Sequence, residues 1–278
     1  MMNKEKNFVS AVVYLHNDGT RAAEFCALLV KELEAHFDQY ELVAVDDACT
    51  DDTVPLLRQF AATMAKPLTI LHMSLYQGLE AGMNAGLDAA IGDYVYEFDS
   101  TRHPNEPSMV FAAYQTALKG NDIVSVCPSR TTGGSGLFYK VFNASSHSAY
   151  KLRTDAFRLV TRRAINRVHA SSEHLPYRKA AYAASGLKMA DLEFDGVLPN
   201  TEQGRWNLAM DSLALYTVVV FATGHPIEGW TTTMLVLTVG FAGLFAVLTI
   251  LVKYLSLLLD LTFKKQKYLV ESIEKIQK

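Results

Sequence analysis

Residues 41–53 read ELVAVDDACTDDT, and the reading of this stretch decides the fold. Leu42, Val43, Ala44 and Val45 form an apolar run of buried-strand length. It stops in a turn of small residues that carries Asp46, Asp47, Asp51 and Asp52. In open α/β sheets ligands bind at the carboxyl ends of the strands. An acidic loop there does not attract a phosphate by charge. It can accept hydrogen bonds from a base N–H or ribose hydroxyls, and it can help hold a divalent cation that neutralises a diphosphate. A second strand of this kind, YVYEFDS at 94–100, ends at Asp99, so two strands are expected to deliver carboxylates to one cleft.

Outward from this pair the chain alternates between two periods. Residues 8–15 read as a strand, followed by a turn through His16, Asn17, Asp18 and Gly19. Residues 22–37 have helical spacing, with Phe25, Leu28, Leu29 and Leu33 on one face. After the acidic loop come a helix at 53–65 with Pro55 in its first turn, a strand at 68–73, and an Ala- and Gly-rich helix at 79–90 suited to close packing on a sheet. A strand at 94–98, a helix at 107–118 and a strand at 121–127 continue the pattern. Such alternation implies a mostly parallel sheet with helices on both faces. Arg130 opens a glycine-containing loop with Gly133, Gly134 and Gly136, and from Asp155 the stretch FRLVTRRAINRVH reads as basic and helical.

Composition removes several classes of function. The 278 residues carry a formal net charge of -3, so no basic face for nucleic acid is expected. Cys26, Cys49 and Cys127 are far apart and odd in number, which argues against a disulfide framework or zinc site and fits a reducing cytosol. The polar start, MMNKEKNF, shows no signal-peptide pattern. Residues 230–252 contain no charge and match the length of about 20 residues that spans a bilayer core. A shorter apolar segment at about 208–223 reads as an abbreviated first span or an interfacial helix. Lys264, Lys265 and Lys267 follow, and the positive-inside rule favours two spans with both termini cytoplasmic. The expected organisation is a domain at 1–205, a membrane region at 206–262 and a basic cytoplasmic tail at 263–278.

The residues resemble a known family. VAVDDACTDDT is similar to the VDDGSxDGT loop of family 2 glycosyltransferases, and YLHND stands where that family has a strand ending in PxYNE. GLEAGMNAGLDAAIGDYVYEFDS resembles the segment leading to the family's D-x-D metal motif. Ser129-Arg130 and DAFRLVTRR resemble the polyprenyl-phosphate branch, which includes dolichol-phosphate mannose synthase and the bactoprenol glucosyltransferases. The resemblance implies a GT-A-type, Rossmann-like α/β fold with C-terminal transmembrane helices and a divalent cation, Mg2+ or Mn2+. It implies a UDP- or GDP-linked sugar as donor and a polyprenyl phosphate as acceptor at the cytoplasmic face of the inner or plasma membrane, and it is compatible with a homo-oligomer.

Carried over by position, Asp46, Asp47, Asp51, Asn17, Gly78 and Asn84 would bind the nucleotide. Asp99 would hold the metal and diphosphate, and Arg130 and Arg158 would face phosphate groups. The implied activity is an inverting transfer of a hexose to the lipid phosphate, an acceptor already ionised at neutral pH. The motif reads Asp99-Ser100-Thr101 here, without its second acid; Thr101 and Glu97 are the nearby oxygen donors. That departure motivates a second reading, a catalytically weakened relative that binds nucleotide sugar or lipid phosphate as a scaffold in envelope-glycan assembly.

Overall fold

The computed structural model describes residues 4–102, 107–130, 150–171, 177–197 and 268–276, with scattered helical positions between 237 and 251. The chain divides into a unit formed by Met1–Pro199 with Lys267–Lys278 and a second unit, Asn200–Gln266.

In the first unit the expected alternation builds β1 (Val9–Leu15), α1 (Thr20–His36), β2 (Tyr40–Asp46), α2 (Thr53–Ala61), β3 (Leu68–Met73), α3 (Leu79–Ala89), β4 (Tyr94–Phe98), α4 (Pro107–Leu118) and β5 (Ile123–Arg130). It continues with β6 (Phe157–Thr161), α5 (Arg162–Ser171), α6 (Arg178–Ala184), β7 (Met189–Val197) and β8 (Val270–Ile276). The sheet order is β7-β5-β6-β4-β1-β2-β3-β8. β1, β2, β3 and β4 are parallel; β6 runs antiparallel between β4 and β5, and β8 is antiparallel on β3. The sheet order reverses direction around β1, and the open end of such a reversal is where α/β sheets hold ligands.

Alternation along β1 explains the two layers. Val9, Ala11, Val13 and Leu15 join a core with α1, α2 and α4, while Val12 joins Val43, Val45 and the residues of α3 and α5 on the other face. The small residues of α3 do what their composition predicts: a Cβ on Gly86 would lie 2.5 Å from Val12 Cγ1 and 2.7 Å from Val45 Cγ2. Any side chain there would push the helix off the sheet.

Three expectations change. FRLVT is strand β6, and the helix starts only at Arg162. Its alternating apolar residues pair with β4 and β5, and that pairing outweighs the basic residues that suggested a longer helix. α2 ends at Ala61, where the Thr63 hydroxyl donates to the Phe60 carbonyl. Residues 270–276, read from sequence as part of a basic tail, form edge strand β8, charged and largely exposed as edge strands commonly are.

Most of 206–262 lies outside the described residues. Within it Leu237, Phe241, Leu244, Phe245, Val247, Leu248 and Leu251 are helical and exposed. Among the described residues no helix is long and apolar enough to cross a membrane.

Candidate active site

The turn after β1 ties the two acidic strand ends together. Asn17 Oδ1 accepts the Thr50 N–H at 2.8 Å, and the N–H groups of Asp18 and Gly19 donate to Thr53 Oγ1 at 2.9 and 2.8 Å. On the other side Thr101 Oγ1 donates to Asp18 Oδ1 at 2.7 Å. Leu15 is in register with Asp46 and Val13 with Phe98, so Asp46 and Asp99 lie at nearly one level. They are on strands two apart, which spaces their backbones by about 10 Å. The two acidic ends therefore meet at one end of the sheet.

At the end of β2, Asp46 Oδ1 accepts the Cys49 N–H at 2.8 Å and Oδ2 lies 2.7 Å from His72 Nδ1. Asp47 is fully buried. Its Oδ1 accepts the Gln77 N–H at 2.8 Å, and its Oδ2 accepts the Gly78 N–H at 2.8 Å and the Tyr14 hydroxyl at 2.6 Å. Through these bonds Asp47 fastens the loop that leads into α3. Gly78 has φ 85, a left-handed conformation that favours glycine, and Asn84 is buried within α3. Asp51 accepts the Thr53 N–H at 3.1 Å; desolvation opposes its ionisation, yet bonds from Thr53 and Gly19 hold its carboxyl below the usual range. The Cys49 thiol is pushed up to about 12, first by burial, and stays protonated at neutral pH.

The end of β4 is built differently. Glu97 is opposite Arg158 in the β4–β6 ladder, and Arg158 Nη1 donates to Glu97 Oε2 at 2.7 Å. Arg158 also donates to Asp99 Oδ2 at 2.7 Å and to Asp155 Oδ2 at 2.9 Å. Arg178, on α6, donates to Glu97 Oε2 and Asp99 Oδ1, each at 2.7 Å, and to Glu80 Oε2 at 2.8 Å. The Tyr182 hydroxyl donates to Glu97 Oε1, and Lys179 pairs with Asp155. The Arg158 side chain is 2% exposed and that of Arg178 0%. Burial alone would raise the Asp99 pKa, but Arg158 and then Arg178 hold it well below the carboxylate range. Arg158 is therefore clamped among Glu97, Asp99 and Asp155, at a position where the resemblance implied that it would face phosphate groups. Arg130 ends β5, exposed, at the same end of the sheet as Asp99.

As arranged, these residues do not present a cage for a divalent cation. Both Asp99 oxygens bear a guanidinium, Glu97 is fully buried within its own bonds, and Thr101 donates its hydroxyl to Asp18. Among the described residues no group of three His, Cys, Asp or Glu side chains is arranged to hold a metal. A cation reaching Asp99 would have to share each oxygen with a guanidinium.

The profile of glycosyl transferase family 2 matches residues 10–183. The chain belongs to glycosyl transferase family 2. The glycosyltransferase is 22% identical over 236 residues to an uncharacterised glycosyltransferase of Synechocystis, covering 80% of this chain and 72% of that one. It is 25% identical over 124 residues to the undecaprenyl-phosphate 4-deoxy-4-formamido-L-arabinose transferase of Aeromonas hydrophila, covering 45% of this chain and 38% of that one. Among solved structures, a mannosyltransferase from Pyrobaculum calidifontis in complex with GDP-Man and Mn2+ aligns with TM-score 0.50 at 19% identity, over 82% of this chain and 68% of that one. The shared fold is the GT-A-like α/β sheet.

Sequence reasoning missed Arg178, Glu80, Tyr182, His72, Arg58 and Glu274. Arg178 and Lys179 are the charged residues of the otherwise Ala-rich RKAAYAA helix, and a buried role is not visible in that pattern. His72 interrupts the apolar strand LTILHM, and that polar break was the signal available for it.

Proposed function

We propose that this glycosyltransferase transfers a hexose from a nucleotide diphosphate sugar, UDP- or GDP-linked, to a polyprenyl phosphate at the cytoplasmic face of a membrane. The observation that carries the reading is the pair of acidic strand ends, Asp46 and Asp99, opening at the same end of the sheet on either side of β1. Asp46 accepts N–H or O–H groups of the nucleoside. The lipid phosphate, already anionic, attacks the anomeric carbon from the face opposite the nucleotide. A new C–O bond forms as the bond to the diphosphate breaks, giving inversion without a strong general base. Arg130, at the carboxyl end of β5, is the exposed guanidinium suited to orienting that phosphate. Asp99 holds Arg158 and Arg178 in place beneath the cleft.

The lipid acceptor is supported by the acceptor named for the Aeromonas relative and by the exposed apolar helical residues between 237 and 251. β7 and β8 belong to one sheet, so residues 200–266 leave and re-enter the same unit. A membrane region inserted there crosses an even number of times or lies in the interface, which keeps the whole sheet on one side.

The test is incorporation of radiolabelled sugar into extractable lipid, with UDP- and GDP-sugars, bactoprenyl or dolichyl phosphate, and Mg2+, Mn2+ or EDTA. Transfer to lipid is expected. Nucleotide binding without any transfer would instead favour the scaffold reading.

A further inference from the structure

A cavity of about 580 Å3 opens at the carboxyl ends of β2 and β3, lined by Asp46, Thr50, Arg58, His72, Ser272 and Glu274 among others. That volume lies within the roughly 300–1,000 Å3 of small-ligand sites. One wall comes from the end of the chain, far in sequence from the acidic loop opposite. β8 enters beside the β3–α3 loop: Leu269 O accepts the Ser74 N–H at 3.1 Å and Gln77 Nε2 at 2.7 Å, while the Leu269 N–H donates to Gln77 Oε1 at 2.8 Å. Asp47 holds that same loop through the Gln77 and Gly78 N–H groups.

Across the cavity a chain of polar contacts joins the two walls. Asp46 Oδ2 is 2.7 Å from His72 Nδ1, and His72 Nε2 is 3.5 Å from Glu274 Oε2. Arg58, from α2, grips Glu274 with Nε at 2.9 Å and Nη2 at 2.8 Å from Oε2. The 3.5 Å contact is at the outer limit of a hydrogen bond, so a ligand N–H can replace it without breaking a strong pair. Two carboxylates flanking an imidazole can accept the single ring N–H of a uracil or the two-donor N1–H and N2–H edge of a guanine, and that difference in donors is what a carboxylate can discriminate.

We propose that β8 is a wall of the donor-nucleotide pocket and that Glu274, positioned by Arg58 and linked to Asp46 through His72, sets which nucleobase the pocket accepts. The proposal rests on the donor reading above and assigns to the returning C-terminal strand a selectivity role in it.

Calorimetric titration of the full-length, detergent-solubilised protein with UDP and with GDP tests it, alongside Glu274→Ala, Glu274→Gln and, on the same strand, Lys275→Ala. Both Glu274 variants should lose about tenfold in affinity for the preferred nucleotide, as expected for one hydrogen bond to a charged group. They should also bring the UDP-to-GDP ratio toward unity, with Lys275→Ala binding as wild type. Thermal unfolding checks that Glu274→Ala is folded; if it is not, Glu274→Gln decides. Unchanged affinities in the Glu274 variants, or an equal loss for both nucleotides with an unchanged ratio, would overturn the role of Glu274 while leaving the donor reading standing. A wild-type protein that binds neither nucleotide would overturn both.

Discussion

The acidic ends of β2 and β4 look alike in sequence and are satisfied by opposite chemistry. At β2 the donors are backbone N–H groups, a tyrosine hydroxyl and an imidazole. At β4 they are two buried guanidiniums. Dipoles stabilise an acid without cancelling its charge, so Asp46 keeps capacity for a ligand on the cavity it lines. Guanidiniums neutralise the acid they hold, so Asp99 and Glu97 act chiefly on Arg158 and Arg178. The difference teaches that an acid at a strand end is a ligand site or a structural anchor according to what faces it.

Glu97→Gln attacks this contrast most strongly. Removing one partner of a buried ion pair leaves uncompensated charge, and about 3–5 kcal/mol of stability should be lost in urea unfolding. The same substitution at a site of the β2 type would cost much less. Acid gives a graded version of the same attack. Asp99 and Asp155 are both held below the ordinary range against the pull of burial, chiefly by Arg158. Their contribution is therefore present above the unfolded value of about 3.9 and is lost as pH falls through the depressed folded values. Unfolding free energy measured across pH should fall steeply below about pH 4 in wild type, and less steeply in Asp99→Asn.

At the dipolar end, Asp47→Ala strips acceptors from two backbone N–H groups and a hydroxyl. A loss of about 1–3 kcal/mol is expected, with faster amide exchange at Gln77 and Gly78 as the specific readout. Thr101→Val cuts the bond to Asp18 that links the two ends and should cost about 1 kcal/mol. Asp46→Asn should change stability least, by less than about 1 kcal/mol, because it keeps an oxygen for the Cys49 N–H. It should nevertheless weaken nucleotide binding, measured by calorimetry. A stability loss as large as that of Glu97→Gln would erase the distinction between the two ends.

Much of this was legible in the chain itself. Apolar runs of strand length alternating with helical periods, together with Gly82 and Gly86 where α3 meets the sheet, were enough for the parallel layers, since period and residue size are local properties. Asp46 and Asp99 were recognisable as residues of interest because each stands at or just beyond a strand end, whereas Arg158 was marked only by the resemblance and was read on a helix. The partners of those acids were not legible. Arg178 lies 79 residues from Asp99 and Glu274 lies 202 from His72, and no local pattern records such separations.

Sequence by itself determined the element order from β1 to β5 and the two acidic junctions, because side-chain period and turn chemistry act within a few residues. Tertiary structure alone decided that Arg158 sits on a strand facing Glu97, that Arg178 closes over Asp99, and that the chain's last strand returns to β3 to wall the cavity. Burial and ion pairing depend on what distant segments bring within a few ångströms, and only the folded chain sets those distances.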